Sequence, residues 1–184
     1  MIKKLCIILV LFTLVFCTGY KKPYKYVIEA EKDAFYHNNV GLNYLKDRIY
    51  YAAIQEFKIA ISLSPSTQAS AIFYTNLGET YSFIGYPEMS KDCFEKSLEL
   101  YPLNLKCYLN LMDCYITLGI ANNKVNEYQN SENVYDKIKL GILYTKLGEL
   151  RKGINILDEI VTTEPDLLLT QPLKAYIKKI SNLK

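Results

Sequence analysis

The side chains that could carry chemistry are few and far apart. His37 is the only histidine, and the five cysteines are Cys6, Cys17, Cys93, Cys107 and Cys114. A nucleophilic constellation needs a base beside its Ser or Cys, and a zinc site needs Cys and His at short spacing. No C-x-x-C occurs, no glycine-rich phosphate loop follows a strand-like run, and a lone His reads as a packed, satisfied core residue. Cys107 and Cys114 are seven apart on one expected helix, which puts their Cα atoms about 10.5 Å apart, beyond disulfide reach. A Cys93–Cys107 pairing stays geometrically open, although three small buried hydrophobes is the favoured reading. Glu79 and Asp113 read as solvated acids on helix faces. The expectation is therefore a protein without catalytic residues, cofactor or metal.

The N-terminus carries a different signal. Lys3 and Lys4 precede Leu5 to Cys17, thirteen residues without a charge and with Thr13 as the one polar member. A bilayer span needs about 20 apolar residues, whereas the apolar core of an export signal needs roughly 7 to 15. Residues 1–17 are read as a signal peptide, with an uncleaved anchor running to Tyr20 as the alternative. Two processing routes stay open: cleavage near Cys17 to Gly19, or lipid attachment at Cys17. The run Leu14-Val15-Phe16-Cys17 resembles a bacterial lipobox, but bulky Phe16 departs from the small residue expected there. Without Lys3 and Lys4, 20 basic residues face 19 acidic ones, a net charge of +1. Such balance argues against nucleic acid as a partner, because phosphate binding needs clustered positive charge.

The elements that would position any site are legible from a repeat. The text LGETYSFIG begins at Leu77 and LGILYTKLG at Leu140, and related Val40-Gly41 with Tyr44 and Leu111-Met112 with Tyr115 complete a series at intervals of 37, 34 and 29 residues. At offsets 12, 16, 19 and 24 from Gly41 stand Ala53, Phe57, Ala60 and Pro65; from Gly78, Ser90, Phe94, Ser97 and Pro102; from Gly141, Gly153, Leu157, Ile160 and Pro165. Mid-helix Gly costs about 1 kcal/mol relative to Ala, so its recurrence needs a packing reason. Two antiparallel helices in contact at Gly41, Gly78 and Gly141 supply one, with Pro65, Pro102 and Pro165 closing the second helices. The third unit is short. Gly119 to Leu140 spans 21 residues where Gly85 to Leu111 spans 26, and the intervening IANNKVNEYQNSEN holds five Asn. A shortened second helix with a polar edge is expected there.

These residues resemble the tetratricopeptide repeat, whose Leu-Gly-x-x-Tyr, then Ala-x-x-x-Phe, then Pro signature they reproduce. The resemblance implies an all-α chain, an α-solenoid of about four helix-turn-helix repeats over 34–169, with units 34–67, 71–104, 105–133 (irregular) and 134–167. Residues 170–184, with Leu173, Tyr176, Ile177, Ile180 and Leu183 at helical spacing, read as a C-terminal capping helix, and 18–33 as a tether or N-terminal extension.

The resemblance also implies a function, the binding of protein segments in a concave groove lined by first helices. By that register the groove residues are Asn38, Leu42 and Leu45; Thr75, Glu79, Ser82 and Phe83; Leu109, Asp113 and Ile116; and Ile138, Ile142 and Thr145. Some family members clamp a C-terminal carboxylate with Lys, Asn and Arg, but Leu42, Glu79 and Asp113 stand where those donors belong. An amphipathic helix or extended segment carrying a basic residue is the expected partner. The chain is thus read as an exported, non-catalytic scaffold of a bacterial cell envelope, periplasmic or membrane-anchored through Cys17, with envelope-assembly or pilus-accessory adaptors as class-level precedents. A secreted structural or substrate-capture repeat protein acting outside the cell is the alternative.

Overall fold

The computed structural model describes residues 33–182. The expected signal peptide with Cys17, the tether up to residue 32 and the last two residues of the capping segment lie outside the described residues. Nine helices follow one another, with no strand among the described residues: α1 (Ala34–Lys46), α2 (Tyr50–Leu63), α3 (Gln68–Phe83), α4 (Pro87–Leu100), α5 (Leu105–Thr117), α6 (Ala121–Gln129), α7 (Val134–Lys146), α8 (Leu150–Thr163) and α9 (Thr170–Ser181). Eight of them pair as α1/α2, α3/α4, α5/α6 and α7/α8, and α9 packs on α8.

Local chemistry sets the ends. First helices begin at polar caps: Asp33 accepts from the Tyr36 amide, Thr67 and Ser70 form a reciprocal capping box, and Asn104 and Asn133 cap α5 and α7. Second helices α2, α4 and α8 each end two residues before Pro65, Pro102 and Pro165, as the restriction on pre-proline backbone requires. The turn inside each pair uses a left-handed residue, Gly85, Gly119 and Gly148 at φ of 78°, 70° and 89°, and in the first pair Arg48 at 60°.

The glycines of the repeat are contact points between paired helices. A Cβ on Gly41 would stand 2.6 Å from the Phe57 ring, one on Gly78 2.8 Å from the Phe94 ring, and one on Gly141 2.7 Å from Leu157. Phe57, Phe94 and Leu157 are fully buried, so their rings and methyls have nowhere to retreat. From the second helix, Ser90 donates to the Gly78 carbonyl and Ser97 to the Ala71 carbonyl, each at 2.7 Å, which satisfies two buried hydroxyls without widening the seam.

The third pair departs from this pattern in two places. Met112, fully buried, stands where the other first helices carry Gly, and α6 has 9 residues against 14 in α2, α4 and α8. Tyr128 occupies the position of Phe57 and Phe94 and is 4% exposed. The largest apolar core nevertheless runs from Phe94 through α5, α7 and α8 to Leu173 and Ile177 of α9.

Candidate functional site

The first-helix register brings only part of the expected groove to the surface. Five of its residues are corrected by burial. Asn38 is 6% exposed and accepts from the Asn76 amide at 2.8 Å, which ties α1 to α3. Thr75 is 4% exposed, with its hydroxyl 2.8 Å from that of Ser97. Ile138 and Ile142 are fully buried. Thr145 is buried as well, its hydroxyl 2.7 Å from that of Tyr176 on α9. Thr75 faces the second helix of its own repeat, Asn38 the first helix of the next, and Thr145 the capping helix α9. Leu45 and Leu109 are half-buried against the two main cores.

Exposed on the expected face are Leu42, Ser82, Phe83, Asp113 and Ile116. Glu79, Ser82, Phe83 and Asp113 come together with Lys106 and Asn110 around a cavity of about 300 Å³ between α3 and α5. Phe83 is 64% exposed at its rim, with one neighbouring ring, Tyr50, whose centroid lies 6.1 Å away at an interplanar angle of 26°. Leaving a phenylalanine in water forfeits about 2 kcal/mol of burial.

The charges are already matched within the chain. The Glu79 carboxylate lies 2.6 Å from the Lys106 ammonium and accepts from the Asn110 amide at 3.1 Å. Asp113 accepts from Lys146 at 2.7 Å. The acids read as free attractors for a basic partner are thus paired across the repeat boundaries. Sequence reasoning missed Lys106 and Asn110. A signal for the latter was present: Asn39, Asn76 and Asn110 each stand two residues before the seam position of their repeat.

The remaining reactive residues are quiet. Cys93, Cys107 and Cys114 are buried free thiols, which removes the open pairing of Cys93 with Cys107. Burial pushes Cys93 and Cys107 up to about 12, so neither forms thiolate near neutral pH. His37 is packed but only half satisfied, contrary to expectation. Its Nδ1 lies 2.7 Å from Glu56, while buried Nε2 has no hydrogen-bond partner among the described residues.

Comparison with known proteins agrees with this architecture. Residues 71–102 match the family model described as tetratricopeptide repeat. A TPR repeat-containing protein of Methanocaldococcus jannaschii, MJ1428, is 24% identical over 142 residues, which is 74% of this chain but only 24% of that protein. Among solved structures, Pseudomonas aeruginosa pilF aligns with a TM-score of 0.51 at 18% identity, over 80% of this chain and 68% of its own. A tetratricopeptide repeat protein from Parabacteroides merdae aligns with a TM-score of 0.50 at 18% identity, over 81% and 60%. Residues 71–102 thus match a tetratricopeptide repeat, and the helix pairs on either side of them share its two-helix architecture.

Proposed function

We propose that the chain is a non-catalytic scaffold of a bacterial cell envelope that holds a segment of a partner protein on the first-helix face, in the cavity between α3 and α5. The fold is generally a protein-interaction scaffold, and the observation that carries the finer reading is Phe83, a largely exposed aromatic at the mouth of a cavity that also has hydrogen-bonding groups. An apolar side chain of the segment lies against Phe83. A basic residue of the segment reaches Glu79 or Asp113 only by displacing Lys106 or Lys146, so charge tunes the interaction less than apolar contact does. Export rests on the leader at 1–17, and attachment to a membrane on acylation of Cys17.

The test is site-specific photocrosslinking in the native cell, with a photoreactive aromatic residue in place of Phe83 or of Asn122 on α6. A discrete adduct from position 83 and none from position 122 is expected. Adducts from 122 alone would remove the α3/α5 cavity as the binding site.

A further inference from the structure

The helix that closes the array has an outer face of one charge sign. Its apolar stripe, Leu173, Ile177 and Ile180, is buried where α9 packs on α8, and Lys174, Lys178 and Lys179 stand on the exposed half. No Asp or Glu occurs between Asp166 and Lys184. Every lysine from α4 through α8 forms an ion pair with a carboxylate. None of the three on α9 has a hydrogen bond or ion pair among the described residues.

Solvation of the array's end does not account for this pattern. A cap needs a polar outer face, and mixed charges would supply one. Lys174 and Lys178 stand four apart on the helix, a like-charge spacing that works against its formation. The helix dipole favours Lys178 and Lys179 in the last turn, but Lys174 lies outside its reach. The same side of the helix also carries apolar surface. Leu168, in the turn that leads into α9, is 71% exposed. Pro172 and Ala175, four and seven residues on, are exposed as well, so helical spacing runs from Leu168 past them to Lys179. The nearest acids in the sequence, Glu164 and Asp166, lie in the turn before the helix, and the positive charge builds up along α9 away from them.

We infer that the outer face of α9 docks on an anionic lipid surface, with Lys174, Lys178 and Lys179 at the headgroups and Leu168 entering the acyl boundary. A bilayer offers both complements at once, negative headgroups for the ammonium groups and hydrocarbon just beneath them for the leucine. An acidic protein segment would match the lysines alone. The apolar stripe stays on α8, so the helix binds without leaving the array. The site is separate from the α3/α5 cavity and stands whether or not a partner segment lies on Phe83.

The experiment is co-sedimentation of the full chain with two kinds of vesicle, phosphatidylcholine alone and phosphatidylcholine with phosphatidylglycerol in equal parts. Any contribution of residues 5–17 is common to both and cancels in the comparison. Preferential binding to the anionic vesicles is expected, weaker as salt is raised. Replacing Lys174, Lys178 and Lys179 together by Gln should lower that preference about tenfold or more, and Arg at the same three positions should retain it. Leu168→Ser should weaken binding to the anionic vesicles without changing its salt dependence. Gln in place of Lys91, Lys96 and Lys137, the same charge removed from paired lysines elsewhere, should leave the preference unchanged. Equal binding to the two vesicle types, or equal loss from the two triple Gln variants, would overturn the inference. Saturable capture by a polyglutamate peptide without any vesicle preference would assign the face to an acidic protein and overturn it as well.

Discussion

At the scale of single residues, the seam glycines show which of two opposed effects wins. Helix propensity alone says that Gly78→Ala should stabilise α3 by about 1 kcal/mol. The contact says otherwise, because the new Cβ would meet the fully buried Phe94 ring at 2.8 Å and force a shift in a packed core. Gly78→Ala is therefore expected to destabilise by about 1 to 3 kcal/mol, read from the midpoint of urea unfolding. A stabilised variant would mean that the seam does not lie where Gly78 places it. The glycine positions were legible in the sequence because only a steric demand repeats Gly in helical text. Burial of Thr145 was not, since it depends on Tyr176 of α9, and nothing within the repeat itself encodes its neighbour.

At the scale of elements, the turns and the shortened pair carry separate expectations. Three of the four turns inside the pairs place Gly in the left-handed region, and Arg48 occupies the fourth at φ 60°. A non-glycine residue there costs about 1 to 2 kcal/mol, less the greater unfolded freedom of Gly. Arg48→Gly should thus raise stability by about 0.5 to 1 kcal/mol, visible as a higher thermal midpoint, and a lowered midpoint would show that the Arg48 side chain contributes more than its backbone costs. The entry to α7 is held by Asp136, which accepts from Ser131 and Lys139, each at 2.8 Å. Partial burial works against ionisation, but those hydrogen bonds and the Lys139 and Lys124 charges outweigh it and hold the carboxyl below its usual range. A folded-state pKa below the unfolded one gives stability that is complete above about pH 4, the unfolded value, and is lost as pH falls through the folded value. Amide exchange near Ser131 to Asp136 should accelerate in that acid window, and Asp136→Asn should abolish the acceleration. Exchange as pH-insensitive in wild type as in the variant, once intrinsic rates are divided out, would contradict this role. That α6 would be short was readable from the 21-residue spacing, but the cavity of about 440 Å³ beside it was not, because its walls also come from side chains of α4, α5 and α7.

At the scale of the whole molecule, no repeat buries its apolar face alone, and the continuous core from Phe94 to Ile177 is what the stacking achieves. Stacking also explains why only part of the expected groove lies at the surface. A register shared by four repeats aligns positions, yet neighbouring repeats then bond at those positions, as Glu79 does with Lys106 and Asp113 with Lys146. What stacking leaves uncovered includes Phe83, on which the proposed partner site rests. The account therefore stands most directly on the affinity of the crosslinked partner for purified wild-type chain and for Phe83→Ala. Aromatic anchors at interfaces contribute about 2 kcal/mol or more, so the variant should bind roughly 30-fold more weakly while its unfolding midpoint stays within error, since Phe83 lies on the surface. Equal affinities for the two proteins, with the fold of both intact, would contradict the assignment of this face as the binding site.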